Sequence, residues 1–263
     1  MKNLRSYGSK PFKCVVVHGG PGAPGSASSL ARQLSKNNSV LEPFQTEKTV
    51  FGQVDELYNQ ITQNTLNRVF VFGHSWGAWI TYLLAYKNPE IIEKTFLIGS
   101  GVFDASYLPE LEKRRLSALS KNEQLEYKRI LSTLSHENAD NDKFLKRLGE
   151  LAEKADYYHV EKNEENNDEL ITIDGNQYQN VWNEASEMRK NGFFIEIAKE
   201  IKCPIRVVHG NKDTTPIEGV VDPIKEHIKD LKWFEIEECG HSPWKEKYGK
   251  GRFFEIVNKE MNT

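Results

Sequence analysis

Arg68-Val69-Phe70-Val71-Phe72-Gly73-His74-Ser75-Trp76-Gly77-Ala78-Trp79-Ile80-Thr81-Tyr82 is the stretch on which the fold turns. After Arg68 its next four residues, Val69–Phe72, are β-branched or aromatic with no polar alternation. A strand buried on both faces reads that way, and parallel sheets bury both faces. The segment from Trp76 to Tyr86 is rich in Ala, Leu and aromatics and reads as a helix. Between them lies Gly73-His74-Ser75-Trp76-Gly77, a G-x-S-x-G pattern in a strand–turn–helix context, which is the context of a nucleophile elbow. Such a turn forces the serine into a strained backbone conformation with its hydroxyl clear of the sheet. The flanking glycines, lacking Cβ, let strand and helix approach closely. Ser75 is therefore the expected nucleophile.

Moving outward, Phe12–Val17, Lys94–Ile98, Ile205–His209 and Lys232–Ile236 also read as strands, with Ser39–Glu42 a weaker candidate. Ala27–Ser35, Val54–Leu66, Gly219–Ile228 and Tyr248–Met261 read as helices between or after them. Alternation of this kind predicts right-handed βαβ units and a doubly wound, mostly parallel α/β sheet of about six strands. From Asp104 to Glu200 the rhythm breaks. That segment is acidic and rich in Glu, Lys, Leu and Asn, with amphipathic patterns at Leu108–Leu119, Glu123–Leu134, Phe144–Ala155 and Val181–Lys190 and a polar loop at Glu161–Asp174. The expected organisation is a core of residues 1–103 and 201–263 carrying an inserted helical cap, 104–200.

A serine nucleophile needs a base, and the base an orienting acid. In this topology their chain order is Ser, Asp or Glu, then His. Asp213 follows the strand Ile205–His209 through Gly210-Asn211-Lys212, and His241 follows Lys232–Ile236 through Glu237-Glu238-Cys239-Gly240. All three residues thus fall just past the carboxyl ends of different strands, where open α/β sheets meet their ligands. Of the other histidines, His136, His159 and His227 read as solvated. His209 reads as a buried hydrogen-bonded residue, and His74, next to the nucleophile, as a ring turned away from the site. Acyl transfer also needs oxyanion donors. The Trp76 N–H opens the helix after the elbow, and Gly20 lies in the loop His18-Gly19-Gly20-Pro21-Gly22 after the first strand. Trp182, Phe193 and Trp244 are candidate apolar walls of a substrate pocket.

The same glycines admit a rival. Gly20-Pro21-Gly22-Ala23-Pro24-Gly25 matches G-x-G-x-x-G, with Glu42 about 20 residues on, as in a dinucleotide-binding fingerprint. Pro21 and Pro24 remove N–H groups that a pyrophosphate would need, and the reading leaves the ordered serine, aspartate and histidine unexplained. A P-loop is weaker still, because Ser26 and Ala27 follow where a lysine should stand. A third class, a non-catalytic ligand-binding protein on the same fold, shares every residue of the triad.

His18-Gly19-Gly20-Pro21-Gly22 together with Gly73-His74-Ser75-Trp76-Gly77 resembles the α/β-hydrolase superfamily, in particular its proline iminopeptidase branch. The resemblance covers roughly residues 12–103 and 201–260. It implies a Ser-His-Asp hydrolase with a helical cap, acting on a small-molecule ester, thioester or amide, with aminopeptidase activity as an alternative. Only eleven residues precede Phe12, too few for the antiparallel hairpin with which the family opens, so a shortened N-terminal sheet is expected.

The bulk properties agree. A chain of 263 residues suits one large α/β domain with an insertion. Net charge is −3 and 28% of residues are charged, which gives no reason to expect nucleic acid as a partner. No apolar run approaches the ~18 residues of a membrane span. Cys14, Cys203 and Cys239 are odd in number and widely spaced, and read as free thiols of a reducing compartment. With no signal-peptide pattern the expected location is cytoplasmic. The sequence offers no metal-binding spacing and implies no cofactor.

Overall fold

The computed structural model describes residues 3–138 and 140–263. Seven strands form one sheet: β1 (Leu4–Tyr7), β2 (Cys14–Val17), β3 (Val40–Pro43), β4 (Val69–His74), β5 (Ile92–Ile98), β6 (Ile205–Gly210) and β7 (Leu231–Ile236), in the order β1-β3-β2-β4-β5-β6-β7. All neighbours are parallel except β1, which runs antiparallel to β3.

The sheet has one strand more than the six expected. The eleven residues before Phe12 are too few for a hairpin but enough for one edge strand. Leu4-Arg5-Ser6-Tyr7 is too short and too polar to announce itself by periodicity. It is held by cross-strand pairing: Arg5 lies opposite Glu42, with Arg5 Nη1 3.4 Å from Glu42 Oε2 and the Tyr7 hydroxyl donating to the same oxygen at 2.8 Å. Burial pushes the Glu42 carboxyl up to about 7, against the pull of Tyr7 and Arg5.

Side chains of the central strands alternate between two cores, as the period of two requires. Val15, Val17, Val69, Val71, Leu97 and Val207 face helices α2 (Val50–Thr62) and α3 (Trp76–Lys87). Val16, Phe70, Phe72, Phe96, Ile98 and Val208 face α1 (Ser28–Leu34) and, near the C-terminus, Lys250–Met261. Helix α2 begins four residues before its predicted start because Thr49 caps it, its hydroxyl accepting from Gly52 N.

Between β5 and β6 lie α4 (Leu108–Ser117), α5 (Lys121–Leu134), α6 (Asn141–Asp156), α7 (Gly175–Lys190) and the short α8 (Phe193–Glu196). Ser120 and Glu123 form a capping box at α5, and Asp174 caps α7. Leu119, Tyr127, Ile130, Leu145, Leu148 and Leu151 build a separate apolar cluster, whereas Val181 and Ala185 of α7 join the main core. The polar stretch 161–174 is more than a loop. It crosses α1, where Asp168 accepts from Ser29 N at 2.9 Å and Asn166 accepts from Gln33 Nε2 at 3.2 Å.

The helix expected at Gly219–Ile228 shrinks to α9 (Glu218–Val221) followed by turns. Pro223 has no N–H for the carbonyl four residues back, so regular helix cannot continue through it. The last helix, α10 (Lys250–Met261), packs beneath the sheet.

Candidate active site

At the end of β4 the backbone reverses sharply. Ser75 has φ 54° and ψ −114°, a region that a side-chain-bearing residue rarely adopts. Its N–H donates to Ile98 O at 2.9 Å. A Cβ on Gly73 would collide with Gly77 O and Thr81 Oγ1, and one on Gly77 with the carbonyls of Val17 and His18. Both glycines are thus required by close approach of strand, helix and the loop after β2. Ser75 is half-buried and lines a cavity of about 640 Å³.

His241 follows β7 and lines the same cavity. Its Nδ1 sits 2.8 Å from Asp213 Oδ2, and its backbone N–H donates to Asp156 O at 2.9 Å. Gly99, at φ 51°, leaves the space the ring occupies. Asp213 lies behind it, fully enclosed, with Oδ1 accepting from Thr215 N at 2.9 Å. His209 is buried as expected. Its Nε2 lies 2.8 Å from Thr215 O and 3.2 Å from Asp213 Oδ2.

Burial alone would raise the Asp213 carboxyl. The adjacent His241 and His209, the bond from His241 and the Thr215 N–H outweigh it and hold Asp213 well below the usual carboxylate range. For His241 burial works downward, but the charge of Asp213, its hydrogen bond and the charge of Asp156 raise it above its ordinary value. With Nδ1 committed to Asp213, Nε2 is the nitrogen free to exchange a proton. If His241 is the base, kcat/KM falls as pH drops through a raised imidazole value. The acid limb of the pH–rate profile is then expected as a single protonation above about pH 6.5, the ordinary histidine value. A limb centred near 4 would point to a carboxylate instead.

Gly20 has φ 58° and lines the cavity beside Trp76. The N–H of Trp76 opens α3 and has no intrahelical acceptor. His18 is buried under this loop, within 3.0 Å of Gly19 O through Nδ1, and burial lowers its imidazole. Gly22 and Gly25 have positive φ, and a Cβ on either would strike the carbonyls of Asp174 and Glu169. Ile171 N donates to Pro24 O and Asp174 N to Gly22 O. Two of the three glycines of the rival dinucleotide fingerprint, Gly22 and Gly25, are therefore accounted for by a chain segment lying across them.

Of the three predicted wall residues, Trp182 lines the cavity and the other two do not. Phe193 packs edge-on to Phe51, with centroids 6.0 Å apart, against the main core. Trp244 is a core residue: the chain turns inward through Pro243–Lys245, and its Nε1 donates to Ser29 Oγ at 2.8 Å. The His74 ring is packed inside the protein: it lies 4.8 Å from the His241 ring and 4.7 Å, edge-on, from that of Trp244, with Nε2 3.2 Å from His241 O, and burial holds its imidazole well below the ordinary value.

Charged residues of the cavity that the sequence did not single out include Arg115, Asp156 and Arg189. Asp156, at the end of α6, receives a two-pronged bond from Arg115 (Nε–Oδ1 3.1 Å, Nη2–Oδ2 2.9 Å) and one from the Thr214 hydroxyl. Arg189, on α7, stands over the rings of Trp79 and Trp182. No local pattern marks these residues, because only the tertiary fold brings α4, α6 and α7 to the serine. Among the described residues, no cluster of His, Cys, Asp and Glu is arranged to hold a metal ion, and no helix is long and apolar enough to cross a membrane. The three cysteines are buried and unpaired.

A sheet of this order with a serine at such an elbow defines the α/β hydrolases. The family model for the alpha/beta hydrolase fold matches residues 44–248, and the chain belongs to that family. It is similar to the proline iminopeptidase of Clostridioides difficile (strain 630), 23% identical over 97% of this chain and 91% of the relative. Among solved structures it resembles VinJ (TM-score 0.68, 17% identity, 98% of this chain and 94% of the other). It also resembles the proline iminopeptidase of Mycobacterium smegmatis (TM-score 0.64, 16% identity, 98% and 93%).

Proposed function

We propose that this chain is a serine hydrolase that cleaves a small-molecule ester, thioester or amide through an acyl-enzyme on Ser75. The observation that carries the reading is the 2.8 Å bond from His241 to Asp213 at the wall of the cavity that Ser75 enters from a strained turn. His241 Nε2 takes the Ser75 proton as Oγ attacks the carbonyl carbon. The N–H groups of Gly20 and Trp76 hold the oxyanion. His241 then protonates the leaving group, and water, deprotonated by the same nitrogen, releases the acid and restores Ser75. Asp213 keeps the imidazole in the tautomer this cycle needs. Residues 104–200 act as the cap, with Trp182 in the pocket wall.

A second reading, aminopeptidase action, is favoured by one observation. Glu112, Glu150 and Glu153 of the roof line the cavity, where carboxylates suit a free amine. The relative from Clostridioides difficile is named for that activity.

Labelling with a fluorophosphonate probe, followed by peptide mapping, tests the proposal. The adduct is expected on Ser75 and absent from Ser75→Ala. Wild-type protein that takes no label would overturn the hydrolase reading in favour of a ligand-binding protein. Turnover of a butyryl ester but not of a prolyl anilide supports the ester reading, and the reverse supports the aminopeptidase.

A further inference from the structure

The cavity holds two arginines in opposite electrostatic situations. Arg115 is neutralised by Asp156 and bonded to the Tyr127 hydroxyl. Arg189 is only 7% exposed, yet among the described residues no carboxylate pairs with it and its buried Nε has no acceptor. Burial is the main influence on it and pulls the guanidinium down to about 10, so it stays charged at neutral pH. It lies over aromatics, with Cζ 5.2 Å from the Trp79 ring centroid and 5.8 Å from that of Trp182. Those two indoles stack nearly parallel, 5.8 Å apart, and Tyr178 continues the stack at 5.9 Å. Arg189, Trp79, Trp182 and Tyr178 all line the cavity.

A buried guanidinium with no carboxylate partner keeps its fork of N–H donors uncommitted, that fork matches a carboxylate in a two-pronged bond, and the neighbouring rings favour its charge. Trp79 stands four residues after Ser75, about 6 Å along the helix at 1.5 Å per residue. A group bound by Arg189 would therefore lie within a short chain's reach of the nucleophile. We propose that Arg189 is the substrate-binding residue for a carboxylate, and that the natural substrate is a short carboxylate-bearing ester, thioester or amide. The inference rests on the acyl-transfer reading above and narrows its substrate class.

Two pairs of reporter esters test it and show which side of the scissile bond carries the charge. On the acyl side, mono-(4-nitrophenyl) glutarate is compared with 4-nitrophenyl valerate. On the leaving-group side, 4-butyryloxybenzoate is compared with phenyl butyrate. In wild type, kcat/KM is expected to favour the carboxylate member of one pair by about tenfold or more, the scale of a charge-assisted bidentate contact. Arg189→Met should lower that ratio by about tenfold, chiefly through KM, and Arg189→Lys should restore part of it. Equal ratios in wild type and Arg189→Met, or no preference in either pair, would overturn the proposal while leaving the hydrolase reading intact if Ser75 still takes the fluorophosphonate. Should wild type neither label nor turn over any ester, the hydrolase reading fails. The anion site is then read from glutarate titration of the indole fluorescence of Trp79 and Trp182. Saturable quenching lost in Arg189→Met supports it, and no response overturns it.

Discussion

Ser75→Ala is expected to lower kcat for the best ester substrate by about 10⁴-fold or more while leaving the fold intact. The backbone at this position is held by its neighbours rather than by the serine side chain. Its N–H bonds to Ile98 O, and the glycine contacts around it involve main-chain atoms of Val17, His18 and Gly77. Alanine meets the same positive φ with the same Cβ, so the unfolding free energy should change by no more than about 0.5 kcal/mol. The hydroxyl that would carry the acyl group is simply gone. Single-turnover kinetics on purified protein measure the loss. A variant retaining a tenth of the wild-type rate would show that Ser75 is not the attacking group.

The second large effect is on stability. Asp156→Ala is expected to destabilise the protein by about 3–5 kcal/mol in urea unfolding, the cost of leaving a buried charge without its partner. Arg115 has 18% and Asp156 5% side-chain exposure, so water cannot take over the lost contact cheaply. Adding Arg115→Met to Asp156→Ala should recover part of that loss, because the stranded charge is removed as well. A single variant within 1 kcal/mol of wild type would show that solvent already screens the pair. Activity should fall too, since the Asp156 carboxylate accepts from Thr214 and its charge supports the protonated form of His241.

Much of this architecture is legible in the sequence, for a physical reason. Strands buried on both faces cannot alternate, so Val69–Phe72 appears as an unbroken apolar run and Ile205–Val208 as one interrupted only by Arg206. The glycine pair around Ser75 records a strand–helix contact too close for any Cβ. Asp213 and His241 were findable because strand ends are visible and the chemistry prescribes their order. What escaped has no local signature. Leu4–Tyr7 depends on a partner strand more than thirty residues away. Phe193 and Trp244 are apolar enough for either a pocket or a core, and only the path of the chain decides. Arg115, Asp156 and Arg189 sit on amphipathic helices whose polar positions look alike until the tertiary fold turns some of them inward.

The bond from the His241 main-chain N–H to Asp156 O means that the roof and the imidazole are not separable modules. A chimaera made by exchanging the segment between β5 and β6 for that of another hydrolase would also exchange the anchor of His241. Transplants that keep the last turn of α6 with Asp156, together with Arg115 of α4 that neutralises it, retain that anchor while the rest of the segment is free to diverge. The residues of α5 and α7 that line the cavity can then be rewritten without disturbing the His241 main-chain bond, whereas the end of α6 is a seam that must be carried over whole.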